Sequence, residues 1–143
     1  MVDVSQKTPS HRIATATGTV RLSETLRLLV AEKALPKGDV FTVAKVAGIL
    51  AAKRCGELIP LCHPLPLTDI QVELALSERG IEIRATASCV GPTGVEMEAL
   101  TAVSVAALTV YDMCKSADKS MVIEEVRLVS KTGGKSGAWH AEL

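Results

Sequence analysis

The chain has very few aromatic side chains: one Trp, one Tyr and one Phe among 143 residues, or 2%. It also has no excess of either charge, since 16 Lys and Arg residues balance 16 Asp and Glu residues. Proteins that bind single-stranded nucleic acid stack bases on aromatic rings, and proteins that bind duplexes present a basic surface. Both absences therefore argue against a nucleic-acid partner.

The sequence contains no obvious apolar run long enough to cross a bilayer, and its N-terminus lacks the pattern of a cleavable signal. We therefore expect a cytoplasmic protein with no membrane segment. Hydrophobic residues still make up 48% of the chain, which indicates that self-association covers part of the apolar surface. The length fits a single domain, 1–143, with flexible ends at 1–11 and 131–143.

The cysteines lack the paired spacing of a zinc knuckle or a disulfide framework. They lie at positions 55, 62, 89 and 114, and we expect them to act as small buried hydrophobic side chains. The sequence assigns none of them a role. A metal site at Cys62 and His63 would need ligands from elsewhere in the chain, so we predict no metal site.

Two periodicities alternate along the chain and predict an α+β fold. Alternation of apolar and polar residues is typical of strands, and apolar residues three or four positions apart are typical of helices. Ser23 and Asp39 are suited to cap the first two helices. The predicted elements are strand 12–22, helix 23–33, helix 40–54, strands 68–74 and 81–90, helix 95–114 and strand 121–130.

This order is βαββαβ with one additional helix. It predicts a ferredoxin-like sandwich with an antiparallel sheet. The second predicted helix places Val43, Ala47, Leu50 and Arg54 in one stripe along its side.

The long helix is apolar on most of its circumference yet carries Glu98 and Asp112. Carboxylates in such surroundings need partners. The two acids are fourteen residues apart, or about 21 Å along the axis, too far for one small substrate to contact both easily. We therefore favour a site shared between subunits. The helix dipole alone could account for acids near the start and Lys115 near the end, but not for Asp112.

Three breaks between elements carry further candidate groups. Prolines hold the loop 58–66 around His63, which suits general acid–base or phosphate contacts, although a lone histidine in such a loop is more often structural. Lys37 lies in a turn of common sequence, and Lys53 could simply compensate a helix dipole. The glycine-rich run 131–137 could cover phosphates or form a disordered tail.

Seven segments together resemble the MoaC family, the cyclic pyranopterin monophosphate synthases of molybdenum cofactor biosynthesis. They are 1–5, 37–39, 51–54, 58–64, 93–108, 111–115 and 133–137. The resemblance implies a ferredoxin-like subunit in a homohexamer, a trimer of dimers, with sites at subunit interfaces. It also implies a phosphorus–oxygen lyase that converts 3′,8-cyclo-7,8-dihydro-GTP to cyclic pyranopterin monophosphate and releases pyrophosphate.

The resemblance also implies roles for individual residues. Asp112 and Lys115 would be catalytic. We expect no required cofactor, and the sequence leaves open a Mg²⁺ ion bound with the triphosphate. The implied substrate-binding residues are Leu61, Cys62, His63, Met97, Glu98 and Glu96, with Lys37, Lys53, Arg12 and Lys131 as cations around the triphosphate and base.

Two other classes of function compete with this interpretation. Ferredoxin-like domains often bind small molecules as sensors without doing chemistry, but a sensor has no need of Asp112 beside Lys115. A metal-delivery protein could use Cys62, His63 and Cys114, and it would bind a transition metal stoichiometrically.

Overall fold

The computed structural model describes residues 1–142. Within that range the chain forms five strands and four helices, in an order that confirms the predicted βαββαβ arrangement. The elements are β1 (Ser10–Arg21), α1 (Glu24–Ala31), α2 (Val40–Lys53), α3 (Cys55–Leu58), β2 (Leu67–Leu76), β3 (Gly80–Gly91), α4 (Glu96–Cys114), β4 (Val122–Thr132) and β5 (Trp139–His140).

The strands form one antiparallel sheet in the order β2-β3-β1-β4-β5. The central pair, β1 and β3, runs in unbroken register from Ser10 opposite Gly91 to Arg21 opposite Gly80. Helices α2 and α4 pack against this sheet and against each other. The first four strands have the order of a ferredoxin-like fold, as predicted.

Local capping explains where the first two helices begin. The Ser23 hydroxyl accepts a hydrogen bond from the Leu26 amide, and the Asp39 carboxylate accepts from the amides of Phe41 and Thr42. Each side chain satisfies amides that have no partner inside the helix. Both predicted caps are confirmed, and α1 ends at Ala31, two residues before the predicted end.

The face of α2 that packs against the core is not the predicted stripe of Val43, Ala47, Leu50 and Arg54. Its buried residues are Val40, Ala44, Gly48, Ala51 and Ala52, whereas Val43 and Leu50 of the predicted stripe are 44% and 48% exposed. A Cβ added at Gly48 would lie 3.0 Å from the Ala102 carbonyl oxygen of α4. Small residues thus bring α2 close to α4, and larger apolar residues are left on the surface.

The longest helix, α4, is the centre of the core. Ala102, Val103, Ala106 and Val110 are fully buried, and the helix contacts β1, β3 and α2. By length and composition alone α4 would suffice to cross a membrane, but the fold buries more than half of it. In this structure it is the core helix of an α+β domain.

The sequence did not predict α3 and β5. Helix α3 lies in the segment 55–66 that we expected to be irregular, and β5 pairs with β4 through Lys131 opposite Trp139. The ends predicted to be flexible also enter regular structure, because Ser10 and His11 belong to β1 and Thr132 to β4. The mobility of the remaining end residues stays a prediction.

Candidate active site

Most of the predicted site residues fall into two groups at opposite ends of the antiparallel helix pair α2 and α4. Lys37, just before α2, contacts Asp112 near the end of α4. Cys55, just after α2, contacts Thr101 near the start of α4. The uninterrupted α4 separates Glu98 from Asp112 by about 21 Å. One chain therefore does not bring these two acids together.

The first group, which we call the aspartate cluster, comprises Asp112, Lys37 and Lys115. Lys37 Nζ donates to Asp112 Oδ2 at 2.8 Å and to the Asp112 carbonyl at 3.2 Å, while Lys115 Nζ lies 3.0 Å from Oδ1. The hydrogen bonds from Lys37 and then Lys115 lower the Asp112 pKa. All three side chains are about half exposed. The cluster presents an ionised carboxylate and two cations to a ligand.

The second group, which we call the glutamate cluster, comprises Glu96, Met97 and Glu98 at the start of α4 and Lys131 of β4. Lys131 of β4 pairs with Glu96, its Nζ 2.6 Å from Oε1. Burial opposes ionisation of Glu96, but Lys131, the Glu96 amide and Arg12 together lower its pKa. Met97 is exposed on the neighbouring surface. An anionic ligand here would compete with Glu96 for Lys131.

Glu98 behaves differently from Glu96 although it is only two residues away. It is 3% exposed, and burial raises its pKa. Cys55 and Glu96 are its neighbours, and the Cys55 thiol lies 3.6 Å from the Thr101 hydroxyl. Glu98 is therefore suited to hold a proton that an exposed glutamate would lose, which is a property of general acids.

The loop between α3 and β2 presents Leu61, Cys62 and His63. His63 Nε2 lies 2.7 Å from the Val2 carbonyl oxygen, and since a carbonyl only accepts, this contact needs a proton on Nε2. The other ring nitrogen, Nδ1, is then the one that can accept a hydrogen bond. Cys62 lies next to Cys55, and Leu61 is 69% exposed. The N-terminal segment thus orients the histidine.

Two further predicted cations form no ion pair with the acids of either group in the part of the chain that the structure describes. Arg12 is only 7% exposed and donates to the carbonyls of Gly91 and Pro92. Lys53, at the C-terminal end of α2, lines a depression beside the start of β2. Within residues 1–142, no ion pair involves Lys53.

The sequence profile of the MoaC family matches residues 1–134. The chain belongs to the MoaC family. A protein of Novosphingobium aromaticivorans named cyclic pyranopterin monophosphate synthase is 59% identical over 142 residues, which cover 99% of this chain and 90% of the relative. Proteins of the same name from Thermomicrobium roseum and Bordetella avium are each 55% identical, over 99% and 97% of this chain and 87% of either relative.

The cysteines of this MoaC chain are all free, and Cys55, Cys89 and Cys114 are buried. Burial raises the pKa of each of these three thiols, that of Cys55 to about 11. They therefore remain protonated near neutral pH. In the part of the chain described here, no three His, Cys, Asp or Glu side chains are grouped so that they could hold a metal ion.

Sequence reasoning missed two contacts at the candidate site of this MoaC chain. Val2 contacts His63, and Thr101 with Cys55 lies beside Glu98. The first had a signal, because 1–5 was among the segments that resemble the family. The second had none, since Cys55 and Thr101 are 46 residues apart and no local pattern in the sequence links them.

Proposed function

We propose that this MoaC protein converts 3′,8-cyclo-7,8-dihydro-GTP to cyclic pyranopterin monophosphate and pyrophosphate. It is a lyase of molybdenum cofactor biosynthesis, as the relatives' name and the family match indicate. The structural observation that carries the proposal is the aspartate cluster. An exposed carboxylate held by two lysines, at 2.8 Å and 3.0 Å, combines a base with cations for phosphate chemistry.

The residues divide the chemistry between them. The reaction needs ring opening and closing with proton transfer, then attack of a substrate oxygen on the innermost phosphorus with pyrophosphate leaving. Asp112 accepts protons, Lys115 exchanges protons with it, and Lys37 stabilises negative charge. Glu98, with its raised pKa, holds a proton for donation.

The remaining predicted residues bind the substrate in this proposal. Lys131 and Lys53 supply positive charge to the triphosphate, and His63 accepts a hydrogen bond from the substrate through Nδ1. Glu96, Met97, Leu61 and Cys62 line the pocket for the base. No cofactor is required, and Mg²⁺ enters only with the triphosphate.

We propose further that the chain forms a homohexamer, a trimer of dimers, with each site shared between two subunits. The two clusters lie at opposite ends of α4, so each needs a second chain to meet its counterpart. Exposed apolar side chains on α2 and α4 support contact with another subunit, because such a surface is usually covered by a partner. Those of Val43, Val46, Leu50 and Leu108 are 44–58% exposed. Four free thiols suit a reducing compartment, and we propose the cytoplasm.

Pyrophosphate release on incubation with the cyclised dihydro-GTP compound tests the proposed reaction directly. We expect one pyrophosphate for each cyclic pyranopterin monophosphate formed. The same incubation with GTP should release none, because the ring linkage that the enzyme rearranges is absent. Binding of the compound without turnover would favour a sensor instead.

Lys131→Ala should weaken binding of the triphosphate substrate more than binding of a monophosphate analogue. A charge-assisted contact contributes about 1.5 to 3 kcal/mol, and only the triphosphate offers the outer phosphates that Lys131 is proposed to contact. Calorimetry with both ligands measures the difference. Lys119→Ala, an exposed lysine in the loop after α4, serves as the control. Equal weakening of both ligands by Lys131→Ala would contradict the assignment.

Lys37→Met should raise the Asp112 pKa, because the Lys37 hydrogen bond is the largest cause of its lowering. A carboxylate with a higher pKa takes up its proton at a higher pH, so the titration midpoint moves upward. NMR titration of the Asp112 side-chain carbon measures this without requiring activity. Lys45→Met, an exposed change on α2, should leave the midpoint in place. An unchanged midpoint in Lys37→Met would show that the ion pair does not form in solution.

A further inference from the structure

Arg12 uses two of its three nitrogens on backbone carbonyls. Nε donates to the Gly91 oxygen at 2.9 Å and Nη2 to the Pro92 oxygen at 3.2 Å. Gly91 ends β3 and Pro92 begins the connection to α4. The guanidinium therefore ties β1 to the segment that leads into the glutamate cluster, and little of it is exposed.

The third nitrogen, Nη1, faces the glycine-rich loop after β4. A Cβ added at Gly134 would overlap Nη1, and one added at Gly133 would overlap the His11 carbonyl oxygen. Both glycines also have positive φ, +78° and +92°. Only glycine allows this loop to pass so close to Arg12. Three chain segments therefore meet at one guanidinium.

The start of α4 is less well capped than the starts of α1 and α2. Its N-cap residue, Val95, provides no side-chain hydrogen bond, whereas Ser23 and Asp39 cap α1 and α2 directly. Within the first turn, the carboxylates of Glu96 and Glu98 contact their own amides. Further contacts come from outside the helix: Arg12 at Gly91 and Pro92, and the Lys131–Glu96 ion pair. Neighbouring segments therefore add to the support of this helix start.

We infer that Arg12 is a positioning residue that fixes the first turn of α4, with Glu96, Met97 and Glu98, against the glycine-rich loop. It acts through this geometry and not as a cation on the substrate. This role differs from the one that the family resemblance implied for Arg12. The kinetic part of the inference rests on the proposed function, and the structural part does not.

Arg12→Lys distinguishes the hydrogen-bonding geometry of the guanidinium from its positive charge. Lysine keeps the positive charge but lacks the planar fork that donates to two carbonyls at once. We expect kcat to fall on the order of 10- to 100-fold in both Arg12→Lys and Arg12→Ala, since small misplacements of reacting groups cost this much. Binding of triphosphate and monophosphate ligands should weaken equally. Recovery of kcat in Arg12→Lys, or a loss of binding confined to the triphosphate, would overturn the inference.

Gly134→Ala disturbs the same contact without removing the charge, and Gly137→Ala is its matched control. Gly137 lies in the same loop with φ +64°, but a Cβ there would meet nothing within 4 Å. Both changes strain the backbone similarly, and only the first displaces Nη1. We expect amide hydrogen exchange at 99–101, where the amides of α4 first find acceptors inside the helix, to be at least about tenfold faster in Gly134→Ala than in Gly137→Ala.

This exchange measurement needs no substrate, so it distinguishes failure of the positioning role from failure of the proposed function. Amides at 85–87 in the centre of β3 report global unfolding and should keep equal rates in both variants. If Gly134→Ala does not fold, amide exchange in Arg12→Lys, compared with the wild-type chain, provides the same test. Equal exchange at 99–101 in the disturbed and control proteins would overturn the positioning role.

Discussion

Asp112→Asn should remove nearly all turnover and leave the fold and assembly intact. The amide is almost isosteric with the carboxylate but cannot act as a base near neutral pH. Asp112 is 55% exposed, so the core does not depend on it. We expect turnover to fall at least about 100-fold, the lower range for loss of a general base, in steady-state assays alongside size-exclusion elution.

Asp118→Asn is the matched control, since Asp118 lies in the turn after α4 and accepts a hydrogen bond from the Ser120 amide at 2.8 Å. An asparagine oxygen can accept the same bond, so turnover should hardly change. If Asp112→Asn retained activity within about tenfold of wild type, about 1.4 kcal/mol of barrier, Asp112 would not be the base.

Mixing two inactive variants should restore activity if each site is shared between subunits. Glu98→Gln and Asp112→Asn each damage every site of a pure assembly. In a mixed dimer, one site receives both damaged residues and the other receives neither. Random pairing then restores up to about a quarter of wild-type activity when dimer pairs act independently.

Co-refolding, with native mass spectrometry to confirm mixed assemblies, provides the measurement. Two differently tagged preparations of Asp112→Asn, mixed in the same way, form the control and should stay inactive. If each site were built within one chain, every site would carry a lesion. Confirmed mixed assemblies without activity would therefore rule out the shared site.

The elements with strong local signals could be predicted from the sequence. Ser23 and Asp39 cap helices through contacts two or three residues away, and the β2–β3 hairpin follows from alternation around a short turn. The buried face of α2 could not be predicted in this way. Both faces are apolar, and the choice depends on how closely Gly48 lets α2 approach α4.

The same distinction applies to the clusters. Asp112 and Lys115 are one turn apart on a helix, so their pairing is visible in the sequence. Lys37 meets Asp112 across 75 positions, and only the tertiary fold shows this contact. Strand β5 is two residues long and depends on pairing with β4, which no local pattern reveals. The contacts of Arg12 with Gly91 and Pro92 likewise depend on the fold.

The uninterrupted course of α4 has a consequence for the effect of an insertion in this helix. In the shared-site proposal, each copy of the helix contributes its first turn to one site and its last turn to another. Inserting one residue between Ala99 and Val110 would rotate the far end by about 100° and advance it by about 1.5 Å. Asp112 would then leave Lys37, while Glu98 kept its place beside Cys55. The residue count of α4 is therefore constrained by the contacts at its two ends, Cys55 with Thr101 and Lys37 with Asp112.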